Sequence, residues 1–103
     1  MTETSAIISR PVASVTDAKQ ITVPASARAI LEIDLNALRA NWAKLNEVAG
    51  AAECAGVVKA DAYGLGLEEI AGALAREGCK TFFAATIHEA QRVRAIAPAA
   101  TIY

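Results

Sequence analysis

A chain of 103 residues with 54% hydrophobic and 20% charged residues has the composition of a globular protein, much of its apolar share being alanine. Ten Lys and Arg against eleven Asp and Glu leave a net charge of −1, which gives no electrostatic footprint for nucleic acid or an anionic membrane surface. No apolar run approaches the roughly 18 residues needed to span a bilayer, and Ala6-Ile7-Ile8 is too short for the apolar core of a secretory signal.

Residues 1–27 are Ser/Thr/Ala-rich, carry Pro11 and Pro24, and show neither helical nor strand period. A mobile leader is expected there. Glu3 and Asp17 against only Arg10, Lys19 and Arg28 make it a poor match to a transit peptide. Ala29 to Ile33 alternates apolar and polar residues and predicts a strand. Asp34 offers a helix N-cap, after which Leu35, Leu38, Trp42, Leu45 and Val48 make one apolar face that ends at Gly50. A second strand runs from about Cys54 to Lys59, followed by a turn over Tyr63 to Gly66 and a helix from about Leu67 to Glu77. Glu68 and Glu69 suit that helix's positive amino end, Arg76 its carboxyl end, and Gly78 its left-handed cap. Thr81 to Ala85 reads as strand, and Thr86 with Glu89 as the capping box of a helix that stops before Pro98. Thr101-Ile102-Tyr103 reads as the start of a further strand that is cut off. This alternation predicts a parallel α/β architecture with right-handed crossovers.

The chemistry concentrates in Val57-Val58-Lys59-Ala60-Asp61-Ala62-Tyr63-Gly64-Leu65-Gly66-Leu67. Val57 and Val58 point to opposite faces of a strand, so both faces are expected to be covered, and Lys59 stands at the carboxyl end, where parallel α/β folds bind ligands. A lysine desolvated there loses proton affinity and can condense with an aldehyde. On pattern alone Lys59 is an ordinary strand-end lysine with a solvated tip, and Tyr63 a half-buried aromatic that could also donate a hydrogen bond to an anion. Gly64 and Gly66 suit a tight turn without requiring a ligand. A dinucleotide fingerprint would need a third glycine where Glu69 stands, and no Gly-Lys-Ser/Thr ending supports a Walker loop. His88, the sole histidine, falls in the first turn of a helix and reads as solvated, while Trp42 and the pair Phe82-Phe83 read as core. Cys54 and Cys79 are not in a CxxC arrangement; reduced, buried thiols are expected rather than a disulfide or a metal site.

The string Val-Val-Lys-Ala-Asp-Ala-Tyr-Gly-Leu-Gly resembles the cofactor-lysine signature of the alanine racemases, barrel-type pyridoxal-phosphate enzymes. Ile33 to Leu38 with Asn41, and Gly78 through Glu89-Ala90, also resemble that family's opening segments in order and spacing. Two departures stand out: Leu65 lies where many members carry His, and Asp61 where Asn is common. The resemblance implies the amino-terminal part of a (β/α)8 TIM-type barrel, incomplete in this chain, with residues 28–103 supplying two or three β/α units of a fold that needs about 250 residues. It implies pyridoxal 5'-phosphate as cofactor, held covalently by Lys59, which also serves as acid/base on the D-alanine face, with Tyr63 approaching the cofactor phosphate. Alanine is the implied substrate, D-alanine for peptidoglycan the product, the cytoplasm the location, and a homodimer the full-length state. The opposing acid/base tyrosine, from the partner subunit's carboxyl-terminal domain, and an arginine near the ring nitrogen would both come from later sequence. Without them, the chain alone is expected neither to racemise alanine nor to hold the cofactor tightly. Barrel-type amino-acid decarboxylases and pyridoxal-phosphate homeostasis proteins remain alternatives, as does a non-catalytic truncated half-barrel.

Overall fold

A computed structural model describes residues 6–10, 15–17 and 22–103, and the chain divides into two units, Met1–Ala37 and Leu38–Tyr103. The first unit holds an antiparallel sheet of order β2-β1-β3, made of β1 (Ala6–Arg10), β2 (Val15–Asp17) and β3 (Leu31–Asp34). Ile8 of β1 stands opposite Val15 on one side and Ile33 on the other. Two of these strands lie in the segment read as a leader without strand period. Three to five residues are too few for alternation to declare itself, although the β-branched Ile7, Ile8, Val15 and Thr16 suit a pleated surface. The remainder of that segment, residues 1–5, 11–14 and 18–21, lies outside the described residues. β3 is shifted from the expected Ala29–Ile33, and it pairs antiparallel instead of opening the parallel sheet. Its alternation, in which only Ile33 is buried, is the pattern of an antiparallel strand with one covered face.

Helix α1 (Leu35–Ala49) begins where Asp34 caps it, Oδ1 accepting from the backbone N–H groups of Asn36 at 2.9 Å and Ala37 at 3.0 Å. Of its expected apolar face only Leu35 is buried; Leu45 and Val48 are exposed.

The second unit is parallel α/β. Strands β4 (Gly56–Val57), β5 (Thr81–Phe83) and β6 (Thr101–Ile102) lie side by side in chain order, Gly56 opposite Phe82 and Phe82 opposite Ile102. The segment α2 (Lys59–Tyr63) follows β4, helix α3 (Leu67–Glu77) joins it to β5, and helix α4 (Ile87–Ile96) joins β5 to β6. Gly78 ends α3 in the left-handed conformation at φ 117°, as the sequence predicts. Val58, Leu67, Ala71, Ala73, Phe82 and Val93 are fully buried, and full burial of a side chain the size of Phe82 or Leu67 stabilises by roughly 1.5–3 kcal/mol. Leu74 of α3 and the ring of Phe82 close over Gly56 so tightly that a β-carbon there would lie 3.0 Å from Leu74 Cδ1.

The opposite face of the sheet is open. Val57 is 48% and Phe83 43% exposed, and the rings of Phe83 and Tyr103 stack at 5.2 Å beside them. The expectation that both faces are covered therefore fails among the described residues, and Phe83 is not core as Phe82 is. Successive strand residues alternate between faces, so a pair of large apolar residues shares one core only when both faces are covered.

Candidate functional site

Strand β4 is short because the chain turns left-handed immediately after it. Val58 still donates its N–H to the carbonyl of Phe83 at 2.9 Å, continuing the parallel ladder. Ala60, Asp61, Ala62 and Tyr63 then all take positive φ, between 53° and 58°. Segment α2 is thus one left-handed turn, closed by Ala62 N–H to the Val58 carbonyl and Gly64 N–H to the Ala60 carbonyl, both at 2.9 Å. L-residues resist this conformation by roughly 1–2 kcal/mol each, and seldom adopt it in succession. Gly64, at φ 81°, prolongs the turn without that cost, and Gly66, at φ 102°, releases the chain into α3. The sequence places the turn at Tyr63–Gly66; it begins four residues earlier, and the strand expected through Lys59 stops at Val57.

The turn brings together the two residues singled out from sequence. Lys59 Nζ lies 5.9 Å from the centroid of the Tyr63 ring, within cation–π range. Both side chains are exposed, Tyr63 at 63%, so these residues do not themselves provide the desolvation expected of Lys59. The exposed sheet face of Val57 and Phe83 belongs to the same strand ends.

Part of what holds the strained turn comes from the next β/α unit. Thr86 caps α4, its Oγ1 accepting from Glu89 N–H at 3.2 Å. In a capping box the Glu side chain returns to the cap residue's own N–H. Here Glu89 reaches further: Oε2 accepts from Ala85 N–H at 3.0 Å and Oε1 from Asp61 N–H at 3.1 Å. One carboxylate thereby joins the turn after β4 to the turn after β5. The N–H donors of Ala85 and then Asp61 hold the Glu89 carboxyl below its ordinary range.

Asp61 is engaged through its side chain as well. Its Oδ1 accepts from Leu67 N–H at 3.0 Å, at the start of α3, and from Arg92 Nη2 at 2.7 Å. Arg92 also forks onto Glu68, Nε to Oε1 and Nη2 to Oε2, each at 2.6 Å, and this pairing draws the Glu68 carboxyl below its usual range. No motif in the sequence groups Asp61, Glu68, Glu89 and Arg92, where Glu68 suits a helix dipole and Glu89 a cap. The available signal was the three-residue spacing of Glu89 and Arg92, which places them on one face of α4.

A concavity of about 800 Å³, away from Lys59, is lined by Trp42, Cys54, Cys79, Thr81 and Thr101, among others. It lies at the amino ends of the parallel strands, whereas ligands in such sheets bind at the carboxyl ends. Cys79 is buried, its thiol pushed up by burial and donating to the Thr81 carbonyl at 3.3 Å. His88 is exposed. Among the described residues no group of His, Cys, Asp and Glu is arranged to hold a metal, and no helix is long and apolar enough to cross a membrane.

Residues 33–103 match the family model described as alanine racemase, N-terminal domain. The chain is 53% identical over 83 residues to the alanine racemase of Methylobacterium nodulans, covering 81% of this chain and 22% of that protein. It is 51% identical over 70 residues to a catabolic alanine racemase of Mesorhizobium japonicum, covering 68% and 18%. Among solved structures, alanine racemase from Bartonella henselae with covalently bound pyridoxal phosphate superimposes with a TM-score of 0.66 at 46% identity, over 68% of this chain and 20% of that one. The chain thus spans about a fifth of the length of the relatives it matches.

Proposed function

The chain belongs to the alanine racemase family, and on that premise we propose that it forms the lysine-bearing amino-terminal part of a pyridoxal-phosphate-dependent enzyme that interconverts L- and D-alanine. The observation that carries this reading is Lys59 set at the carboxyl end of a parallel strand with Tyr63 beside it. The pair fits the cofactor chemically: a primary amine able to bond an aldehyde, and a phenol able to donate a hydrogen bond to a phosphate, on a single turn. When bound, the cofactor acidifies the Cα–H of the amino acid it carries.

Lys59 Nζ would hold the cofactor through its amine and would serve as acid/base for the Cα proton on one face. Tyr63 anchors the anionic end. The left-handed turn fixes the spacing between these two tasks. The opposing proton on the other face falls to a residue outside the described ones. The open face of Val57, Phe83 and Tyr103 would be covered by the remaining strands of the barrel, which would also exclude water from the Lys59 amine. A cytoplasmic homodimer supplying D-alanine for peptidoglycan completes the proposal. Division of the chain into residues 1–27 and a barrel portion 28–103 is part of it too.

The test is to reduce an extract of the source cells with borohydride and map pyridoxyl groups by peptide mass spectrometry. Modification of Lys59, with Lys44 and Lys80 unmodified, is the expected result; an unmodified Lys59 overturns the reading. Isotope exchange at Cα of alanine without release of carbon dioxide separates racemisation from decarboxylation.

A further inference from the structure

We propose that Glu89 and Arg92, two residues on the first turns of α4, are positioning residues for Lys59, acting through Asp61. The inference rests on the racemase reading for what Lys59 does, and on the hydrogen bonds alone for how it is held. Four consecutive L-residues in a left-handed turn will not remain there without outside restraint. Within the turn, the two bonds that close it are ones a right-handed turn would also make. Gly66 N–H to the Asp61 carbonyl and Leu67 N–H to Asp61 Oδ1, both at 3.0 Å, tie the turn to the start of α3, and the restraints from outside this β/α unit come from α4 and converge on Asp61 too.

Asp61 sits two residues after Lys59 and two before Tyr63, at the centre of the turn. Its backbone N–H is fixed by Glu89 and its carboxylate by Arg92, across 28 and 31 residues of sequence. Glu89 is in turn aimed by the Thr86 cap and the Ala85 N–H, and Arg92 by the Glu68 fork. Each brace is therefore itself oriented, which is what separates a positioning device from a chance surface contact. If the braces are released, the peptide plane before Asp61 keeps only the Gly64 N–H to Ala60 carbonyl bond, one that a right-handed turn would also make. Lys59 and Tyr63, on either side of that plane, then lose their fixed separation. A misplacement on the order of 1 Å can cost about 100-fold in rate.

The test uses the protein as its source cells make it, with Glu89→Ala, Glu89→Gln and Arg92→Met beside Val93→Ala. Val93 lies on the same helix and is fully buried, so its truncation lowers stability while leaving the braces in place. Three readouts are taken below every variant's melting temperature: cofactor Kd, the visible spectrum of the lysine-bound cofactor, and kcat and KM for alanine. Glu89→Ala is expected to weaken cofactor binding at least about 10-fold and to lower kcat on the order of 100-fold, with an altered spectrum. Glu89→Gln, which retains one acceptor oxygen, should recover part of each loss, and Arg92→Met should fall between. Val93→Ala should lower the melting temperature and leave spectrum and Kd unchanged. If the brace variants match Val93→Ala within about 2-fold, the positioning role is overturned while the racemase reading stands. Absence of pyridoxyl on Lys59 in the unsubstituted protein overturns both.

Discussion

Gly56 is the point at which the core and the site are most directly coupled, because Leu74 and Phe82 pack against it and it lies three residues before Lys59. A β-carbon at Gly56 would lie 3.0 Å from Leu74 Cδ1 and 3.2 Å from Cδ1 and Cε1 of Phe82. The neighbours must withdraw by a few tenths of an ångström, and Phe82, fully buried, has nowhere to go. Overpacking of this kind costs about 1–3 kcal/mol. The loss of unfolded-state freedom on replacing Gly by Ala offsets about 0.4–1 kcal/mol. Gly56→Ala should therefore destabilise by roughly 1–2 kcal/mol. Urea unfolding can be followed through Trp42, the single tryptophan, whose indole N–H donates to the Cys54 carbonyl at 3.2 Å within the same unit. A double-mutant cycle with Leu74→Val isolates the cause, since valine lacks the δ-carbon that makes the tightest contact. The cost of Gly56→Ala should fall by at least about 0.5 kcal/mol in that background, beyond the additivity normally seen between independent sites. Equal costs in both backgrounds would refute the packing argument.

Ala60, exposed and at φ 53°, should tolerate glycine: relief of roughly 1–2 kcal/mol of left-handed strain outweighs the about 0.4–1 kcal/mol of added unfolded freedom. Ala40, exposed on the right-handed helix α1, should instead lose about 1 kcal/mol as Ala40→Gly, and equal destabilisation at both positions in thermal melts would deny the left-handed turn. The Glu68 carboxyl, lowered from 4.5 by Arg92, contributes stability that is present above its unfolded value and is lost as pH falls through its lower folded value. Because both partners are about two-fifths exposed, the effect is at most about 1 kcal/mol. The stability gap between the unsubstituted chain and Arg92→Met should therefore narrow as pH falls below 4.5, and a gap unchanged down to pH ~3 would contradict it.

Much of the second unit was legible because its signals are local. The Glu68-Glu69 amino end and Gly78 cap of α3, the Thr86 cap of α4 and the apolar run of β5 each sit within a few residues of the element they define. β1 and β2 were missed because their pairing is with distant residues and their own lengths are too short to show a period. The burial of Val57 and Phe83 was misjudged for a different reason: an apolar pair in a strand states that two faces exist, not that this stretch of chain covers both. The pairing of Lys59 with Tyr63 was legible from a four-residue spacing and a recognised string. The handedness that creates the pairing was not. Ala60, Asp61 and Ala62 carry no propensity for positive φ beyond the modest tolerance of Asp, and only Gly64 and Gly66 hinted at it.

That gap between motif and geometry bears on how the site forms. A string such as Lys-Ala-Asp-Ala-Tyr in isolation would populate ordinary right-handed and extended conformations, because each left-handed residue is disfavoured by an order of magnitude or so in population. In the native state the segment from Ala85 to Arg92 presents Glu89 and Arg92 to the turn and braces it from outside. Lys59 is thus carried on the unit that begins with β4, and its placement is decided by the unit that begins with β5. Substitutions on the outward turns of α4 then reach the lysine without touching it. On the racemase reading the strain then lies beside the reacting amine while part of the fastening comes from α4, so orientation of the amine can be tuned by substitutions that do not touch it.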